Sequence, residues 1–274
     1  MARRRAPDAV WDAAVRDAAR ASDLDRYLAA LLAPRRVRGD LIALTAFLGE
    51  VARIGEVVTE PMMGEVRLQW WRDALGGTAK TGNPVADALI ATSARHELPD
   101  ELFHSILDAR ARGLDAYVAK TEHDLDDYLR ETEGAALQLA ARILAAGAAH
   151  EADNVLSAAA QALGRVRLLR SLPASLAKGR NPLPAQVAPV PSCADWQQAA
   201  RPVLDAARAW LKEARLRAAV APAAVLPAIL PLALVEPYLA ALERLGPNIA
   251  RERADISPLT RVWRLWRASA LGRV

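Results

Sequence analysis

The stretch LRSLPASLAKGRNPLP, residues 169–184, has the outline of a phosphate-handling segment, with Arg170, Lys178 and Arg180 in one run that closes on prolines. Arginine forks match phosphate oxygens, and lysine adds a point charge. The run contains no acid, so a divalent cation would find no carboxylate in it. The densest acids lie in TEHDLDDYLRE, residues 121–131, where Asp124, Asp126 and Asp127 spell D-x-D-D and are candidates for acid chemistry. A simpler role is expected for them. Thr121 and Asp124 spell a capping box, and acids in a first turn complement the helix dipole. Glu50, Arg53 and Glu56 recur every three residues and share one stripe of a helix, as a row of surface ion pairs would. His96, His104, His123 and His150 are scattered, and none pairs with another histidine or with Cys193 at zinc-ligand spacing. No metal site is expected. No nucleophile elbow is present.

Two tryptophan-rich segments stand apart from this polar chemistry. Trp70 and Trp71 are adjacent, so on a helix they point about 100° apart. One is expected in the core, and the other either packs there too or covers a groove or a partner. In SPLTRVWRLWRASALGR, Leu259, Val262, Trp263, Trp266 and Ala270 share one face, with Arg261, Arg264 and Arg267 beside it. Such a helix either lies on a membrane surface or docks on its own core, and docking is the expectation.

The elements that must position these residues are helices. Leu41, Leu44, Leu48, Val51, Gly55 and Val58 follow spacings of three and four. Further helices are predicted over residues 61–75, 84–96, 100–118, 125–146, 151–170, 195–219, 223–245 and 258–271, with residues 173–194 irregular. The loop at residues 76–84 is glycine-rich but lacks the Gly-Lys-Ser/Thr ending of a phosphate loop. No repeat or linker appears. The prediction is one all-α domain over residues 1–274, bundle-like around a central core.

Composition sets the outer limits. With 274 residues, 53% hydrophobic and 25% charged, the chain can bury a large core without cross-links. Its one cysteine, Cys193, allows no internal disulfide. A net charge of +4 permits an anionic partner. Basic residues are not interleaved with aromatics on a platform, so nucleic acid is not expected. The basic start MARRRAPDAVW leads into no apolar run, so no secretory signal is expected. Residues 218–235 carry no charge, yet Pro222, Pro227 and Pro231 favour a kinked buried helix over a membrane span.

The run DRYLAALLAPRRVRGDLIALTAFLGEVARIGEVVTEPMMGEVRLQWWRDAL, residues 25–75, resembles the squalene/phytoene synthase family, and the likeness continues through YLRETEG at residues 128–134. The resemblance implies an all-α isoprenoid synthase fold with a central cavity, in which two aspartate-rich motifs hold magnesium and ionise a prenyl diphosphate. Set against those motifs, this chain departs. The first motif's aspartates fall on Ala52, Arg53 and Glu56, so one acid is kept. The second motif matches residues 169–184 without a gap, retaining Leu169, Arg170, Gly179, Arg180, Leu183 and Pro184, while its acids become Ser171, Ala174 and Ser175. The diphosphate-holding serine-phenylalanine corresponds to Asp25–Arg26, and the small residues lining the prenyl pocket correspond to Thr132–Glu133–Gly134. A glutamate facing an apolar cavity is costly unless paired.

The pattern is most similar to the branch of the family containing the respiratory complex I assembly factor. The expectation is therefore a pseudoenzyme with no catalytic residues and no cofactor, a binding or assembly factor for a membrane-complex protein or membrane surface. It would be cytoplasmic or peripheral on the inner membrane, with Trp70, Trp71, Trp263 and Trp266 toward the partner or pocket. The alternative is a prenyl-phosphate ligand held by Arg53, Arg170, Lys178 and Arg180. Last comes a prenyl transferase whose magnesium site is rebuilt from Glu50, Glu56 and Asp124.

Overall fold

The computed structural model describes residues 6–58, 60–77, 80–114, 119–145, 149–185 and 195–274, with side chains from residue 13 onward. Cys193 and most of the proline-rich run after Ala185 lie outside the described residues. The described chain is α-helical: α1 (Ala6–Ser22), α2 (Leu24–Leu32), α3 (Arg35–Val57), α4 (Pro61–Gly76), α5 (Pro84–His96), α6 (Asp100–Arg112), α7 (Glu122–Leu129), α8 (Ala135–Ala145), α9 (Asp153–Leu176), α10 (Trp196–Ala218), α11 (Leu226–Ile229), α12 (Val235–Leu245) and α13 (Pro258–Leu271). A π-helical turn, Arg130–Gly134, joins α7 to α8.

Local chemistry fixes many of the starts. Proline opens α4, α5 and α13, where its missing N–H costs nothing. The Asn83 side chain accepts from the Val85 and Ala86 amides. Thr121 and Asp124 form the expected capping box of α7, and Asp23 caps α2 by accepting from the Arg26 amide.

Two apolar cores share the load. One gathers Phe47, Trp71, Leu89 and Phe103 around α3, with Phe47 edge-on to Trp71 at 5.0 Å. Every residue of α3 from 40 to 49 is buried. Gly49 lets α1 cross α3, since a Cβ there would lie 1.9 Å from the Ser22 hydroxyl oxygen. The other core packs α9 against α10 and α12 through Leu156, Leu169, Val203 and Leu239. Each such side chain removed from water contributes about 1.5–3 kcal/mol.

Three sequence expectations need correction. α9 runs to Leu176 instead of stopping at Arg170, because the fully buried Leu169 and Leu172 hold its last turns on the core despite Pro173. α6 ends at Arg112, short of residue 118. On α13 the apolar face does not dock on the core. Arg261, Leu265 and Ala268 face the core, whereas Leu259, Val262, Trp263, Trp266 and Ala270 face outward. The kinked buried segment is present as short 3-10 and α turns from Ala223 into α12, with Leu230, Pro231 and Leu232 buried. Ala223–Ala250 is long and apolar enough to cross a membrane, and most of it is buried within the fold.

Candidate functional site: a closed network of arginines and carboxylates

The interior where α2, the π turn, α9 and α12 meet holds charge. Arg26 on α2 donates to Glu133 Oε2 at 2.7 Å and to Asp23 Oδ2 at 3.3 Å. Arg167 on α9 also donates to Asp23, and its Nε lies 3.6 Å from Glu133. One turn further along α9, Arg170 donates to the Ala254 carbonyl at 3.1 Å and sits with its guanidinium carbon 3.8 Å from the Tyr238 ring centroid. Asp25 accepts from Tyr238 Oη at 2.8 Å and from Arg261 Nε at 2.7 Å. Arg261 also donates to Asp255 at 2.6 Å. Four arginines thus meet four carboxylates.

The sequence explains this placement. The N-terminus of α2, DLDR, delivers two acids and an arginine to one point. Arg167 and Arg170 stand three apart on α9 and share a face. The π turn widens the helix where Glu133 points inward. Burial pushes the Asp23 carboxyl up, but Arg167 and Arg26 outweigh it and hold the group at about 2. Burial likewise raises Glu133, and Arg167, Arg26 and Arg110 reverse that into a net lowering. Burial and the neighbouring Asp25 push the Tyr238 hydroxyl up to about 12, so it stays a neutral donor. The cost foreseen for a buried Glu133 is met by two arginines.

The other predicted positions lie around this network. Ala52 is half-buried and lines a cavity of about 50 Å³ with Arg110, Leu114 and Tyr128. Arg53 and Glu56 are exposed on α3. Arg180 donates to the Gly55 and Val58 carbonyls, closing the C-terminus of α3. Lys178 and Ala174 are exposed, Ser175 is half-buried, and the Ser171 hydroxyl bonds back to the Leu168 carbonyl at 2.8 Å. Trp71 is buried and Trp70 is partly exposed, as expected. In D-x-D-D, Asp124 caps α7, Asp126 pairs with the buried Arg165 and Asp127 pairs with Arg130. His96 bonds the buried Asp40 at 2.9 Å.

A second interior cavity, about 30 Å³, lies between Arg26, Leu41, Leu48, Leu137 and Pro231. Both interior voids are far below the roughly 300–1,000 Å³ of small-molecule sites. A larger groove of about 530 Å³ opens on the surface between α10 and α12, lined by Arg208, Leu211, Lys212, Leu239 and Glu243.

A family model described as squalene/phytoene synthase matches residues 19–260. The chain belongs to the squalene/phytoene synthase family. Two relatives bear the name "NADH dehydrogenase (ubiquinone) complex I, assembly factor 6". The Bos taurus protein is 32% identical over 171 residues, 61% of this chain and 51% of its own length. The Mus musculus protein is 27% identical over 266 residues, 90% of this chain and 80% of its own. The chain thus spans about half of the bovine relative. The crystal structure of the squalene synthase HpnC from Alicyclobacillus acidocaldarius has the same fold, with a TM-score of 0.68 at 23% identity, covering 86% of this chain and 94% of that one.

Family membership brings magnesium into question. The residues at the two motif positions do not fit it. Ala52, Arg53, Ser171, Ala174 and Ser175 offer no carboxylate, and Glu56 faces solvent. The interior acids Asp23, Asp25 and Glu133 are bound to arginines. Among the described residues no cluster of three His, Cys, Asp or Glu is arranged to hold a metal.

Sequence reasoning flagged Asp25, Arg26 and Glu133 only as departures, and it missed Asp23, Arg167, Tyr238, Asp255 and Arg261. The usable signal was Glu133 itself, which demanded a cation.

Proposed function

We propose that this chain is a non-catalytic member of the squalene/phytoene synthase family, a binding or assembly factor that acts without magnesium on a membrane complex. One observation carries the reading. The interior charges satisfy one another, Arg26 with Glu133 at 2.7 Å and Arg261 with Asp25 at 2.7 Å, where a prenyl diphosphate and its metal would need free partners. Removing charges from water is worthwhile only when geometry and hydrogen bonds are complete. An incoming diphosphate would have to break these pairs. The names of the relatives point the same way and suggest an assembly intermediate of respiratory complex I as the partner.

Calorimetric titration with farnesyl and geranylgeranyl diphosphate, each with and without magnesium, tests the reading. No binding in either condition is expected. Magnesium-independent binding would replace it with an arginine-based ligand site using Arg53, Arg170, Lys178 and Arg180. Strictly magnesium-dependent binding would sink it. Affinity capture on tagged chain from inner membranes, expected to retain complex I subunits, addresses the partner.

A further inference from the structure

The outward face of α13 has no role in the interior network. Its core side is Arg261, Leu265 and Ala268. At 100° per residue the opposite side carries Leu259, Val262, Trp263, Trp266 and Ala270. These side chains are displayed openly, with Leu259 79% exposed, Trp263 54% and Trp266 52%. The two indoles stack on each other with centroids 5.3 Å apart and planes 27° from parallel. Together these side chains make an outward apolar ridge about 16 Å long.

Charge around the ridge is predominantly positive. Residues 251–274 hold six arginines against two acids. Arg261 is turned inward onto Asp25 and Asp255. Arg251, Arg253, Arg267 and Arg273 are exposed around the helix, and Arg264 on its flank lies 3.6 Å from Glu236. The contrast with α4 is instructive. There the exposed Met62, Met63, Val66 and Trp70 alternate with Glu60, Glu65 and Arg67, a mixed-sign and adaptable surface. Tryptophan with arginine around an outward ridge is the pattern of a helix lying in a headgroup layer. The indoles sit at the water–hydrocarbon boundary, and the guanidiniums meet lipid phosphates.

We infer that α13 docks this protein on an anionic lipid bilayer through Leu259, Val262, Trp263 and Trp266, with Arg264, Arg267 and Arg273 on the headgroups. The inference is independent of the reading of the interior, because no residue of the ridge belongs to the charge network.

Co-sedimentation of the full chain with phosphatidylcholine vesicles, with and without about a third phosphatidylglycerol, tests it. Binding is expected to the anionic vesicles, weaker to neutral ones and weaker at high salt. W263S/W266S should lower the partition coefficient about tenfold or more, since two large side chains lose their lipid contact. R264Q/R267Q should lower it about fivefold per arginine, roughly 25-fold for the pair. W70S should leave it unchanged. Brominated-lipid quenching of tryptophan fluorescence, present in the wild type and lost in W263F/W266F, gives a second readout if the serine variant unfolds. No sedimentation, an unaffected serine variant with persistent quenching in the phenylalanine variant, or an equal loss in W70S would each overturn the inference. So would binding to native membranes but not to protein-free vesicles, which would assign the ridge to a protein partner.

Discussion

The two stretches that align with the family's aspartate-rich motifs handle their polar groups in different ways. At the carboxyl end of α3, Ala52 faces a small void while Arg53 and Glu56 look into solvent. On α9, Ser171 is satisfied by its own helix, and the nearby interior is filled by Arg167 and Arg170 with their acids. One side leaves its charges in solvent and the other pairs them in the interior. One frame thus accommodates such groups either by exposing them or by pairing them internally. Only the second makes the site part of what holds the fold together.

The sharpest break in that comparison is Glu133→Ala. It leaves Arg26 and Arg167 to share Asp23 as their one carboxylate and should cost about 3 kcal/mol in chemical denaturation. A loss below about 1 kcal/mol would show that the network is incidental. Acid comes next. Asp23 sits at about 2 when folded against an ordinary 3.8, so its contribution is present above pH 4 and fades as pH falls toward 2. That is about 2 kcal/mol, and Asp23→Asn should flatten this acid limb of stability against pH. Tyr238→Phe removes a donor to Asp25 and an acceptor for Arg261, for about 1–2 kcal/mol on the same denaturation assay. Smallest is the α3 side. A52D/R53D should shift stability by no more than about 0.5 kcal/mol and should bring no magnesium binding by calorimetry. Binding there would mean the α3 end alone suffices for a metal.

Much of the fold was legible because its signals are local. α5 was placed at its observed ends since Asn83, Pro84 and the first-turn acid are neighbours in sequence. The errors share a cause. α9 outran its proline because Leu172 is held by distant helices. α13 was read with its tryptophans inward, since local periodicity cannot foresee that an arginine will be buried. Arg261 is buried because Asp25 and Tyr238 receive it. The site followed the same rule. Glu133 announced a need for a cation, but nothing local named Arg26 and Arg167, one of which is more than a hundred positions away.

The bond between Arg261 and Asp25 joins positions 236 apart, and that between Tyr238 and Asp25 joins positions 213 apart. During synthesis Asp25 emerges long before these two partners exist. Its part of the interior must wait until almost all of the residues up to Arg261 have left the ribosome. Contacts of such separation slow folding, because the loop must close before they reward it. A chain stopped before α13 is therefore not a slightly shorter protein but one whose Asp25 never meets Arg261.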